Sequence, residues 1–329
     1  MNIKYINCKI INKQEENQKK NQNQDFIFSF DYIQLENNGT EKRENHEQKM
    51  EQNELKPIDV FSLNEIMISE RLMNIKGWQK YTSPILYSSL VSGLGKYLLV
   101  KEKMDFSLLS FLKERRKKEE TFVQILSIYN SLLKVLEWTE LVGLVSLSCN
   151  LNNIVFNKDK FCNVKLTDFS HSFFIGDIVD LNALLKVIQI NEFTPLGLKV
   201  LHYMNVNKCE SLSSNNIQEI CSGFIEGLKR IGEDLFPLEF LQEYEKKCIF
   251  SLQPLINKEK ERITIELLKG SSGWDHFSLS VMFLIMIKVI DQDTNFNSNT
   301  NTNKFINEFT SILLNNILNR QKNEELTFC

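Results

Sequence analysis

Residues 143–170 read GLVSLSCNLNNIVFNKDKFCNVKLTDFS, and two side chains there, Asn153 and Asp168, carry oxygens of the kind that hold a hard cation such as Mg²⁺. The carboxylate supplies charge and the amide a neutral oxygen, which suits a metal that neutralises phosphate. The same residue types also suit plainer work, Asn153 as a turn cap and Asp168 as an ordinary loop carboxylate. Farther on, Asp275 follows Trp274 at the head of an apolar run. A carboxylate buried there needs hydrogen-bond donors. The cysteines offer no comparable chemistry. Cys8, Cys149, Cys162, Cys209, Cys221, Cys248 and Cys329 are scattered, with no C-x-x-C or Cys/His pair at zinc spacing. They read as reduced thiols of a cytoplasmic protein.

These residues must be positioned by a chain of 329 residues, 42% hydrophobic and 25% charged, the balance of a soluble globular protein. A net charge of −3 gives no basic field for nucleic acid or anionic membrane. Met1 to Lys13 has no apolar core of signal-peptide length, and the most apolar stretch, Leu279 to Ile287, is too short to span a bilayer and reads as a buried helix. Two tracts rich in Gln, Asn, Lys and Glu, residues 14–24 and 36–54, read as unpacked loops. Between and before them, Phe26 to Leu35 and Ile3 to Ile11 read as the strands of a hairpin. Phe61, Glu65, Ile66, Ile68 and Leu72 sit on a short amphipathic helix. Strands follow at Pro84 to Leu90 and Tyr97 to Lys101, a short helix at Phe106 to Leu112, and a long helix through Phe122 and Leu136 that ends near Gly143. Short strands at Ile154 to Phe156 and Val164 to Leu166 precede a largely helical remainder with a last polar loop at Asp291 to Asn303. Segregated strands and helices predict an α+β, two-lobed molecule.

The stretch 143–170 resembles the catalytic and metal-binding region of eukaryotic protein kinases, G-[IL]-V-H-R-D-L-K-x-x-N-I-L followed by a hairpin and K-[LI]-T-D-F-G. The resemblance implies the kinase fold, with residues 1–104 as a small β-rich lobe, 105–329 as a larger helical lobe and a hinge near Val100 to Met104. It places Asn153 and Asp168 on the family's metal positions, with ATP and Mg²⁺ as the implied cofactors. Ile6 to Ile11 resembles the strand bearing the family's Lys, so Lys9 would pair with Glu65 on the following helix. The alternative is that Lys9 is a surface lysine on a first strand. Trp274 to Ser280 resembles D-x-W-S-x-G, which implies a structural Asp275 bonded to the backbone of the catalytic loop. Thr194-Pro195 with Lys199 resembles the end of an activation segment, with Lys199 where the family has a Glu that pairs with a late Arg. Residues 203–270 stand as a helical insertion, including a helix started by Pro237.

The departures shape the functional expectation. The family's catalytic Asp is Ser148 and its phosphate-steadying Lys is Asn150. The Gly of D-F-G is Ser170, and the first glycine of the chain is Gly39, so no glycine-rich loop precedes the helix at Phe61. Without a base, a phosphate cation or a glycine cover, transfer is impaired. The expected function is a pseudokinase that binds protein partners and Mg²⁺–ATP weakly or not at all. A divergent, active Ser/Thr protein kinase is the alternative, since positioning alone supplies part of the rate. Gly176-Asp177 with Asp180-Leu181 also resembles small-molecule kinases of the aminoglycoside-phosphotransferase type. That alignment would give Asp180 the contact otherwise expected of Asp275.

Overall fold

The computed structural model describes Lys9–Ile10, Phe28–Ser29 and residues 51–325, apart from 92, 115–117, 158–162, 178–184, 186–187, 189, 233–234 and 293–299. The chain separates into two compact units, Met1–Gln48 and Lys49–Cys329. In the first, strands β1 (Lys9–Ile10) and β2 (Phe28–Ser29) pair antiparallel, with Lys9 opposite Ser29. This hairpin joins the two segments read as strands. The tract 14–24 lies outside the described residues.

The second unit opens with β3 (Glu51–Pro57), which corrects the expectation for residues 36–54. Residues 51–54 belong to a strand, because all seven residues of β3 pair with β5 (Lys96–Glu102). Backbone pairing with an apolar neighbour overrides the polar composition. Strand β4 (Ile85–Val91) completes an antiparallel sheet of order β3-β5-β4, with a bulge at Leu86. Helix α1 (Val60–Met73) lies between β3 and β4 in sequence and packs beside β4. Asp59 caps it, its carboxylate accepting from the Ser62 amide at 2.8 Å. Its buried residues Ser62, Glu65, Ile68, Ser69 and Leu72 recur at helical spacing, and the Ser69 hydroxyl accepts from the Ile85 amide at 3.0 Å. After the short helix α2 (Trp78–Tyr81), Ser83 donates its amide to the Leu166 carbonyl at 2.7 Å, and Thr167 returns a hydroxyl bond to the Ser83 carbonyl at 3.0 Å.

The rest of this unit is mainly helical. Strand β6 (Phe106–Ser107) leads into α3 (Leu108–Lys113), which starts in a Ser107–Ser110 capping box. Helix α4 (Lys118–Leu141) ends before Gly143, whose φ of 71° only glycine adopts without strain. Strands β7 (Leu144–Val145), β8 (Ile154–Phe156), β9 (Lys165–Leu166) and β10 (Phe173–Phe174) form two small antiparallel sheets, β6-β8-β9 and β7-β10. Helices α5 (Leu196–Val206), α6 (Ser214–Ile231), α7 (Leu238–Leu252), α8 (Lys260–Lys269), α9 (Ser272–Gln292) and α10 (Thr300–Glu325) follow. The segment 203–270 is therefore helical, and Pro237 caps α7, whose Phe240, Leu241, Tyr244 and Cys248 are buried. Helices α9 and α10 both reach into the loop expected at 291–303.

Helix α9 is apolar all round. Among the described residues its segment Ser272–Ile290 is long and apolar enough to cross a membrane, at mean hydropathy 1.4, yet 72% of it is buried inside the molecule. It is a core helix. Tyr129 of α4, Phe283 of α9 and Phe309 of α10 meet edge to face there, with ring centres 4.9 to 6.5 Å apart. The architecture is α+β, a small sheet with one helix followed by a helical body.

Candidate functional site

The site is built where β3, β5 and α1 meet the loops after β7 and β9. In β3, residues alternate faces, so Glu54 and Lys56 point the same way, as does Lys101 across the sheet opposite Gln52. That face receives Glu65 of α1. The Glu65 carboxylate is 1% exposed and takes one lysine on each oxygen, Lys56 at 2.7 Å on Oε2 and Lys101 at 2.7 Å on Oε1. Lys56 also stands 3.8 Å from Asp168 Oδ1, and Lys101 stands 3.2 Å from Glu54. Charges therefore alternate along Glu54, Lys101, Glu65, Lys56 and Asp168.

Two lysines that the sequence reading did not pair with Glu65 hold it here, where Lys9 was the one expected. The described partners of Glu65 are Lys56 and Lys101 of its own unit, and Lys9 lies on a strand of the other. Lys56 was hidden at the end of a polar tract. The signals that mark it are the alternation Glu54-Leu55-Lys56 and its place nine residues before Glu65.

Asp168 has a φ of 59°, a left-handed conformation rare for a residue with a side chain and a mark of functional loops. Burial opposes its charge, but Lys56, the hydrogen bond from Ser170 and the more distant Lys101 outweigh burial and hold the carboxyl below its ordinary range. Burial likewise opposes the charge of Lys56, and Glu65, Asp168 and Glu54 more than restore it. Both groups stay ionised at neutral pH.

Asn153 and Asp168 line one cavity of about 640 Å³, together with Asn150, His171 and apolar residues that include Leu109 and Met282. The Asn150 carboxamide is used as a turn cap, its Oδ1 accepting from the amides of Asn152 at 2.9 Å and Asn153 at 3.1 Å. It carries no cation into the cavity. Cys149 also lines the cavity, and burial pushes its thiol well up, so it offers no thiolate nucleophile.

Ser148 is turned inward. It is 1% exposed and does not line the cavity. Its hydroxyl lies 2.5 Å from the Asp168 carbonyl, to which it donates, and 2.9 Å from the Ser146 carbonyl. The Ser172 hydroxyl donates to that same Ser146 carbonyl at 2.5 Å. The two serines thus bind the loop after β7 to the segment after Asp168. From the other side Asn64 of α1 donates its amide to the carbonyls of Ser170 and Ser172, both at 2.9 Å, with Phe169 at 3.4 Å. Phe61 meets the His171 ring at 5.2 Å, and Arg71 lies 3.9 Å over Phe174. None of these α1 contacts was marked by a sequence motif.

Asp275 lies beneath the loop. Its Oδ2 accepts from the Ser146 amide at 2.8 Å, and its Oδ1 accepts from the Leu147 amide at 2.7 Å. Leu147 has a φ of 47°, and the carboxylate pins that strained residue. Full burial raises the Asp275 pKa to about 6, against the pull of these hydrogen bonds. The contact weighed between Asp275 and Asp180 thus falls to Asp275, and Asp180 lies outside the described residues. Lys199, at the position expected to close an activation segment, lies 5.3 Å over the Phe224 ring.

Among the described residues no group of three His, Cys, Asp or Glu side chains is arranged to hold a metal. A scan against protein-family models and a search of the curated proteins each found no match to this chain.

Proposed function

We propose that this chain is a protein-kinase-like domain that has lost phosphoryl transfer and works by binding, with a protein as its partner and Mg²⁺–ATP as a weak ligand. The observation that carries the reading is the contrast between two neighbouring parts of the site. Lys56 pairs with Glu65 and stands 3.8 Å from Asp168, with both lysine and aspartate charged, an arrangement that would suit the phosphates of a nucleotide. Ser148, at the position of the proton-accepting Asp, is buried with its hydroxyl spent on a backbone carbonyl.

The donor set fits Mg²⁺–ATP loosely. Asp168 supplies a charged oxygen and Asn153 a neutral one in the lining of the same cavity, and hard cations favour both. With one carboxylate at hand, the remaining ligands would come from phosphate and water. Bound there, Mg²⁺–ATP would supply a polarised terminal phosphate. Lys56 would orient an anionic oxygen, and Asn150, occupied as a turn cap, would leave the transferring group without a balancing cation. A divergent active kinase is the second reading, favoured by the intact Lys56–Glu65 pair.

The test is radiolabelled transfer to generic protein substrates by the purified full chain, beside Asp168→Ala, with melting followed with and without Mg²⁺–ATP. The expected result is no transfer above the Asp168→Ala background. Mg²⁺–ATP should raise the melting temperature slightly, and that rise should vanish in Asp168→Ala. Transfer that vanishes with Asp168 would overturn the proposal in favour of the active kinase. Ser148→Asp should not create activity, because its carboxylate would face the carbonyls of Ser146 and Asp168. It should instead destabilise the fold by about 3 kcal/mol or more.

A further inference from the structure

We infer that Lys101 is a second, interchangeable holder of Glu65, so that α1 stays seated when Lys56 turns to an anionic ligand. The inference deepens the binding site proposed above, and its part concerning nucleotide rests on that reading. The part concerning α1 stands on geometry alone.

A single lysine between Glu65 and Asp168 would face a choice. Whatever drew its ammonium toward Asp168 or a phosphate would leave Glu65, 1% exposed, as a buried carboxylate without a cation. Buried charges tolerate that badly, so the helix carrying Glu65 would tend to swing out. The second lysine removes the conflict. Lys101 lies on the central strand β5, whose backbone pairs on both sides, so its anchor is rigid. Its ammonium is as close to Glu65 as that of Lys56, at 2.7 Å, and occupies the other oxygen. Lys101 is in turn steadied by Glu54 at 3.2 Å, which lies farther from Lys56, at 3.9 Å, while Lys56 also stands 3.8 Å from Asp168. The two lysines thus share one task and differ in the other. Both hold α1, and Lys56 alone of the pair stands beside Asp168. The Asn64 contacts to 170 and 172 add to the seating of the same helix. On this arrangement the position of α1 does not report whether the site is filled.

The experiment is hydrogen exchange across residues 60–73 of the full chain, in the wild type, Lys56→Met, Lys101→Met and the double variant, without ligand and with Mg²⁺–ATP. Without ligand, each single variant should exchange within about twofold of the wild type, and the double variant should exchange at least about thirtyfold faster, well beyond the roughly fourfold that additive effects would give. If the double variant does not fold, adding Glu65→Gln removes the buried charge and should restore protection to the level of the single variants. With Mg²⁺–ATP, Lys101→Met should lose protection in α1 while the wild type does not, because Lys56 then serves two anions alone. Equal loss in Lys101→Met and the double variant would overturn the inference, as would strictly additive effects or failure of Glu65→Gln to rescue. If Mg²⁺–ATP leaves every variant unchanged while the ligand-free pattern holds, the nucleotide reading fails and the shared seating of Glu65 stands.

Discussion

Asp275 shows what one buried carboxylate does for this site and at what cost. It fixes two consecutive amides, one of them on a residue with strained backbone, and so sets the course of the loop that carries Ser148. Its folded pKa of about 6 lies above the ordinary 3.8, so the folded state holds the proton more tightly than the unfolded chain. The sign follows by linkage. The contribution to stability is fully present below the unfolded pKa and is lost as pH rises through about 6. Asp275→Asn does not titrate, and its amide would turn an N–H toward one of the backbone N–H groups, costing about 1–3 kcal/mol. The wild type should therefore exceed Asp275→Asn in urea-unfolding free energy by an amount that shrinks by about 2 kcal/mol between about pH 4.5 and about pH 7.5. A difference that stays flat would mean that Asp275 is ionised across the range. This residue was legible in the sequence because Trp274-Asp275 heads an apolar run, and a carboxylate there has few options. Asn153 and Asp168 were singled out by the resemblance of their stretch, and both line the cavity described above. What the stretch could not tell was that Ser148 points inward, because that depends on the carbonyl of Asp168, twenty residues away.

Among the elements, α1 ties the site together. Glu65 faces the sheet, Asn64 reaches the segment after Asp168, and Arg71 covers Phe174, so one helix touches both lysines and the backbone of residues 169–172. The carbonyls of Ser170 and Ser172 take hydrogen bonds from a single side-chain amide, and Ser172 is fully buried. Asn64→Ala should cost about 1–3 kcal/mol and speed hydrogen exchange across residues 168–174. Asn74→Ala, which removes an exposed bond at the end of the same helix, should stay within about 0.5 kcal/mol of the wild type. Equal effects would show that Asn64 does no more than a surface cap. The helix itself was readable from Phe61, Glu65, Ile68 and Leu72. Strand β3 was not, because its seven residues EQNELKP include one large apolar side chain, Leu55, and resemble the polar tract before them. Its strand character comes from β5, a pairing partner some forty residues on, and no local pattern records that. Lys56, which lies on that strand, went unread with it.

At the scale of the molecule, every residue of the proposed site lies in the unit Lys49–Cys329: Lys56, Glu65, Lys101, Ser148, Asn153, Asp168 and Asp275. The described residues of that unit form a hydrophobic core that runs from Ile68 and Leu72 of α1 through Phe283 of α9 to Ile317 of α10. A core of that extent is what a region needs to fold alone. Within this unit the three-stranded sheet β3-β5-β4 lies before residue 104, and the long helices follow it, with the short strands β6 to β10 among them. A chain beginning at Lys49 should therefore melt in one cooperative transition, within about 5 °C of the full chain. It should also keep whatever rise in melting temperature Mg²⁺–ATP gives the full chain, since both lysines and Asp168 remain. Circular dichroism melts of the two chains, with and without Mg²⁺–ATP, make the comparison. A broad, non-cooperative melt of the shorter chain would show that residues before 49 complete its core. A cooperative melt without the ligand-induced rise would place part of the nucleotide site in those residues, where the chain has a strand pair but no glycine before Gly39.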